Sequence, residues 1–158
     1  MQKKYLTKEQ ALQKLKQYCG YQERCHSEVQ QKLWDLGVSR SVHDEIISGL
    51  IEEDYLNEER FARMFAGGKF RVKNWGKKKI EYALKEKKVS SYSISKGLKE
   101  IDEEDYHQLL VKLAEKKHES LRSEQYLVRK KKTIDYLFQK GFEPDLINRV
   151  VNNLKSKE

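Results

Sequence analysis

The chain has 158 residues, of which 37% are hydrophobic and an equal 37% charged. That is enough apolar material for a thin core, which suits an array of small helical units better than one thick globule. One proline and eight glycines exclude long structureless loops and a many-stranded β fold with frequent tight turns.

The formal charge of +8 is concentrated in one place. Residues 1–54 carry 8 Lys/Arg against 9 Asp/Glu, residues 55–101 carry 13 against 5, and residues 102–158 carry 12 against 11. A basic block between two near-neutral ones has the form of a binding surface. No apolar run approaches the roughly 18 residues needed to span a bilayer, and the N-terminal MQKKYLTKEQ lacks the apolar core of a signal peptide. The expectation is a cytoplasmic monomer with no membrane partner. Cys19 and Cys25 read as free thiols, and with His26 they lack a fourth ligand at any usual zinc spacing.

In chain order, residues 8–18 place Ala11, Leu12, Leu15 and Tyr18 at helical spacing. A second helix carries Val29, Leu33 and Leu36 and is ended by Gly37, a residue that tolerates positive φ. A third carries Val42, Ile46, Ile47, Leu50 and Ile51. The grammar then returns. Phe61, Ala62 and Phe65 form a first stripe, Ile80, Ala83 and Leu84 a second, and Ile94, Leu98 and Ile101 a third. In the last third the stripes are Leu109, Leu110, Leu113 and Ala114, then Leu137, then Leu146, Ile147, Val150, Val151 and Leu154.

Leu33, Leu84 and Leu137 are separated by 51 and 53 residues, and Val38, Val89 and Phe142 keep the same offsets, as do Ser39, Ser90 and Glu143. Ser39 and Ser90 are positioned to cap the third helices, and Pro144 to open the last. Repetition at about 50 residues predicts an all-α fold of three tandem three-helix, helix-turn-helix-like repeats in an elongated, curved array. The repeats are 1–54, 55–101 (the basic one) and 102–158. Gly67 and Gly68 predict a flexible or tightly turned joint within a segment linking the first two helices of the middle repeat. Asp102–Asp105 read as a solvated boundary favouring the N-terminus of the next helix.

Trp34, Lys85 and Phe138 share one register. The expectation is that this face packs against something in the outer repeats and meets solvent or a partner in the middle one. Lys78, Tyr82 and Lys85 fall on the face opposite Ile80, Ala83 and Leu84. Ahead of them come Lys69, Arg71, Lys73, Trp75, Lys77 and Lys79, with Phe70, Trp75 and Tyr82 interleaved. Cations neutralise phosphates or carboxylates and flat side chains add apolar contact, so Lys69, Arg71, Lys73, Trp75, Lys77, Lys78, Lys79, Tyr82 and Lys85 are the contact candidates. The four histidines are scattered, Glu52–Asp54 and Glu58–Glu59 read as ordinary surface acids, and there is no Gly-rich phosphate loop. No catalytic, cofactor-binding or metal site is expected.

These residues resemble the RecX regulatory proteins over nearly the whole chain. Tyr55–Ala62, YLNEERFA, is similar to that family's YLND-x-RFA. Gly76–Ile80 with Leu84 resembles its G-P-x-R-I…L, Glu28–Val29 with Lys32–Leu33 and Gly37 its E-L-x-x-K-L…G, and Leu137 with Lys140–Phe142 its L-x-x-K/R-G-F. Glu58 stands where the family usually has Asp, Lys77 and Lys79 replace a common proline and arginine, Cys25 falls where a serine is frequent, and Lys88 occupies the register of Gly37 and Gly141. The resemblance implies a non-enzymatic modulator of RecA. It implies binding along the groove of a RecA filament on single-stranded DNA, restraining strand exchange, ATP turnover and coprotease activity in recombinational repair and the SOS response. Two other readings fit the residues: a stand-alone helix-turn-helix-type protein that binds duplex DNA, and a scaffold whose lysines only keep it soluble.

Overall fold

The computed structural model describes residues 6–155. Among them are nine α-helices, one 3-10 turn and no strand. The helices are α1 (Lys8–Tyr21), α2 (His26–Asp35), α3 (His43–Glu52), α4 (Glu58–Lys73), α5 (Lys77–Glu86), α6 (Ser91–Leu98), α7 (Glu103–Ser120), α8 (Tyr126–Gln139) and α9 (Pro144–Lys155). The all-helical repeat fold expected from the sequence is the fold observed. The described residues form two compact units, one from those up to Met64 with Leu84–Gly97, the other from Phe65–Ala83 with those from Leu98 on. The middle segment is therefore shared between them.

In the first unit α1, α2 and α3 pack around Ala11, Leu15, Val29, Leu33, Ile46 and Leu50, all essentially inaccessible. Burying a leucine in such a core is worth about 2 kcal/mol. Helix α1 opens with a capping box, in which the Thr7 hydroxyl accepts from the Gln10 amide and the Gln10 side chain accepts from the Thr7 amide. His43 is buried, with Nε2 2.8 Å from the Val38 carbonyl and Nδ1 2.7 Å from the Gln30 side-chain amide. Both ring nitrogens are thus engaged by the core. Cys19 and Cys25 are free and buried, and burial pushes the Cys19 thiol up to about 11 and the Cys25 thiol upward as well. Both are protonated and inert at neutral pH.

Six residues of the YLNEERFA segment, Leu56–Glu58 and Arg60–Ala62, build the fold. Leu56, Phe61 and Ala62 are buried. Asn57 Oδ1 accepts from the Arg60 amide at the start of α4. Arg60 bridges Glu23 and Asp54. Glu58 accepts from the Ser90 hydroxyl, which itself accepts from the Ser93 amide and so caps α6. Desolvation would raise the Glu58 pKa, but the Ser90 hydroxyl and the bonds beside it outweigh that and hold it below the usual carboxylate range.

The repeat register has a hydrogen-bond counterpart. After α2, α5 and α8 the backbone closes in the same two-bond turn: Gly37 to Trp34 and Val38 to Leu33, Lys88 to Lys85 and Val89 to Leu84, Gly141 to Phe138 and Phe142 to Leu137. This is the Schellman geometry, which needs a left-handed residue. The φ values are 70° at Gly37, 62° at Lys88 and 99° at Gly141. The middle turn is thus kept with a lysine in the glycine position. A left-handed side-chain residue costs about 1–2 kcal/mol, partly offset by the greater unfolded-state freedom of glycine. Lys88→Gly is therefore expected to stabilise the protein by about 0.5–1 kcal/mol, read as a rise in the urea midpoint; a fall would show that the lysine side chain is needed.

Four expectations are corrected. Gly67 and Gly68 lie inside α4, and Asn74–Gly76 alone link α4 to α5. Ser39 precedes a 3-10 turn, Arg40–Val42, without a capping bond, and α3 starts only at His43. The acids after Ile101 do favour the N-terminus of the next helix, but as part of it and not as a separate solvated boundary: Asp102 caps α7 by accepting from the Asp105 amide, and Glu103–Asp105 form its first turn. Trp34 and Phe138 are 52% and 59% exposed, so that register faces outward in the outer repeats too.

Candidate nucleoprotein-binding site

The second unit is built on Tyr106 of α7. Its ring lies 6.0 Å from Phe70 and 5.2 Å from Phe142, and only 2% of the residue is accessible. Its hydroxyl donates to Glu143 (2.7 Å) and accepts from the Lys77 amide (3.0 Å). Burial pushes this phenol far above its usual range, so it stays a donor. Phe70 belongs to this core, not to the interleaved surface aromatics expected from the sequence.

The start of α5 is pinned on the turn between α8 and α9. The Gly76 amide donates to the Lys140 carbonyl (2.7 Å) and the Lys78 amide to the Gly141 carbonyl (2.9 Å). The approach is so close that a Cβ on Gly76 would lie 2.3 Å from the Gly141 carbonyl carbon. Three amides at this helix terminus are therefore already used, and an anion here would be met by side chains.

Those side chains are cationic. Asn74, at φ 58°, turns the chain after α4, and Trp75 follows. The ammonium groups of Lys69 and Lys79 lie 5.0 and 4.7 Å from the Trp75 ring centre. Lys140 Nζ donates to the Lys73 carbonyl at the end of α4 (2.8 Å). Burial, and then the charge of Lys79, draw this ammonium below the usual lysine range. Lys77, Lys78 and Lys79 occupy the first turn of α5, with no acid among them. That is the positive end of the helix dipole, where each cation is disfavoured by several tenths of a kcal/mol.

The structure thus gathers Lys69, Trp75 and Lys79, with Arg71, Lys73 and Lys78 exposed on the adjoining turns. Lys77 is differently placed: it pairs with Glu103 (2.6 Å) and lies 4.7 Å from the Tyr106 ring centre. Tyr82 is 66% exposed on α5. Lys85 is exposed and belongs to the first unit. Sequence reading missed Lys140 as a member of the cluster. Its only signal was its place in the Leu137–Phe142 motif, far along the chain from Lys79.

Among the described residues no group of His, Cys, Asp or Glu is placed to hold a metal, and no helix is long and apolar enough to cross a membrane. A chain of repeated three-helix units closed by one recurring turn is, by class, a tandem helical-repeat protein. Residues 57–98 match the family model "RecX, second three-helix domain" and residues 103–151 the model "RecX, third three-helix domain". The chain is 33% identical over 138 residues to "Regulatory protein RecX" of Clostridium perfringens (strain 13 / Type A), an alignment covering 85% of this chain and 64% of that protein. It is 30% identical over 141 residues to "Regulatory protein RecX" of Bacillus cytotoxicus, covering 89% and 52%. The chain belongs to the RecX family of regulatory proteins. It spans about half to just under two thirds of the length of these curated relatives. The crystal structure of RecX from Lactobacillus salivarius superposes with a TM-score of 0.85 at 25% identity, over 94% of this chain and 96% of that one. A second crystal structure, of regulatory protein RecX, shares the fold with a TM-score of 0.84 at 21% identity, over 92% of this chain and 73% of that one.

Proposed function

We propose that this chain is a non-enzymatic cytoplasmic regulator that binds RecA on single-stranded DNA and restrains its recombinase, ATPase and coprotease activities. The surface around Trp75 is its contact with that nucleoprotein. The observation that carries the reading is the crowding of Lys69, Lys79 and Lys140 at the positive end of α5. The charge of Lys79 bears on the Lys140 ammonium, and an anionic partner placed here would offset that repulsion. Arg71, Lys73 and Lys78 extend the cationic surface. Lys77 serves mainly to tie α5 to α7, and Tyr82 and Lys85 are secondary contacts.

The direct test is to add the chain to RecA assembled on single-stranded DNA and follow ATP hydrolysis. Stoichiometric protein is expected to slow turnover, and unchanged turnover would reject the reading. A stand-alone duplex binder behaves differently. Four to six phosphate contacts would give a salt slope of roughly −4 to −5 on duplex DNA without RecA. Tight duplex binding of that kind, with no effect on RecA, would transfer the assignment.

A further inference from the structure

The second unit has a groove of about 320 Å³ between the last turn of α4 and the first half of α7, at the small end of the range for ligand pockets (roughly 300–1,000 Å³). On the α7 side Asp105, Gln108, Leu109 and Lys112 line it, at the i, i+3, i+4 and i+7 positions of one helix face. From α4 come Phe70 and Arg71, and just beyond its end Asn74. Phe70 is buried and Leu109 half-buried, so the floor is apolar, while Arg71, Gln108 and Lys112 are exposed at the rim.

We propose that this groove receives one unstacked base of a single nucleic-acid strand whose phosphates meet the neighbouring lysines. The proposal rests on the reading above that nucleic acid contacts this surface. The rim suits a base edge. The carboxamides of Asn74 and Gln108 each carry donors and an acceptor, Asp105 accepts, and the Arg71 guanidinium is both flat and a donor. An apolar floor beneath a mixed hydrogen-bonding rim is how proteins hold splayed bases of single strands. Arg71 and Lys112 would attract a phosphate, but the acceptor oxygens of Asp105, Asn74 and Gln108 find donors only on a base edge. The site is also continuous with the cationic surface: Arg71 and Asn74 alternate along the chain with Lys69, Lys73 and Trp75, so a strand tracked by those cations passes the groove mouth. A duplex keeps its bases stacked and cannot fill it.

The test compares the full chain binding a fluorescent oligo-dT with a strand of the same length and phosphate number made of abasic residues, by anisotropy at low salt. Oligo-dT is expected to bind at least about 5-fold tighter, the lower end of what one stacked base contributes. Gln108→Phe, at an exposed helical position, would fill the groove mouth. It is expected to bring the ratio towards one and leave abasic-strand affinity unchanged, with the helical circular dichroism signal confirming the fold. Equal binding of the two strands overturns the proposal, as does a ratio that survives both Gln108→Phe and Leu109→Ala, the second of which strips the apolar floor without adding a ring that could stack. If Gln108→Phe abolishes RecA modulation while base discrimination persists, the groove holds a protein side chain and the proposal fails. Normal slowing of RecA with a ratio of one rejects the groove alone; a high ratio with no effect on RecA rejects the filament reading alone.

Discussion

Gly141→Ala is expected to destabilise the protein by about 2–5 kcal/mol, the sum of two independent penalties. The first is backbone: at φ 99° a side-chain residue is strained by about 1–2 kcal/mol. The second is steric. A Cβ on Gly141 would lie 2.3 Å from Lys79 Cβ and 2.7 Å from the Lys79 amide nitrogen, atoms that cannot move without shifting α5. Forcing such groups apart costs about 1–3 kcal/mol. The contact is matched from the other side, since Gly76→Ala meets the Gly141 backbone. Gly68→Ala is the contrasting control. Gly68 lies within α4 with nothing inside 4 Å of its added Cβ, so alanine there is expected to stabilise by about 0.5–1 kcal/mol. Urea midpoints moving in the same direction for Gly141→Ala and Gly68→Ala would contradict the docking of α5 on the α8–α9 turn.

Reversing two charges on the first turn of α5, Lys78→Glu with Lys79→Glu, is expected to weaken capture of RecA–single-stranded DNA by about 10²–10³-fold at low salt. A solvent-screened contact between unit charges is worth about 1 kcal/mol, and reversal changes it by about twice that. The loss should shrink as salt rises through the range where the Debye length falls below about 10 Å. The fold should respond in the opposite direction. Acids at a helix N-terminus gain about 0.3–1 kcal/mol each from the dipole, and an acid in place of Lys79 removes the like charge beside Lys140. Against this stands the loss of the Lys79–Trp75 contact, about 0.5–1 kcal/mol. The double variant is thus expected to be as stable as the parent, or more so, while binding poorly. A protein that lost binding because it had unfolded would show the reverse in its urea midpoint, and unchanged filament capture would favour the solubility-only reading of the lysines.

The repeat itself was legible because its determinants are local. Leu33, Leu84 and Leu137 are all fully buried, and Val38, Val89 and Phe142 nearly or wholly so, at the registers their spacing predicts. Each sits beside a turn whose hydrogen bonds reach back only a few residues. The α4 glycines misled because two glycines disfavour a helix interior by about 2 kcal/mol. That penalty is overridden by burial along α4, of Phe61 and Ala62 in the first unit and Ala66 and Phe70 in the second. Trp34 misled through its bulk: large aromatics are usually covered, yet it lies on the outward face of α2, its ring edge-on to His43 at 4.9 Å. The cation cluster was legible only in part. Lys69, Trp75 and Lys79 lie close along the chain, whereas Lys140 reaches them through the meeting of Gly76 with Gly141, which no periodicity encodes.

The division of the chain also bears on its birth at the ribosome. The first unit lacks Leu84–Gly97 until those residues have emerged, and by then Phe65–Ala83, which belong to the second, are already outside. Vectorial emergence, which lets consecutive domains mature one after another, cannot finish the first unit before part of the second is waiting, incomplete, beside it. Nascent chains halted anywhere between residues 65 and 97 would carry an unfinished first unit and an orphaned piece of the second. The emergence of residues 65–97 is thus the stretch of synthesis in which neither unit can be complete.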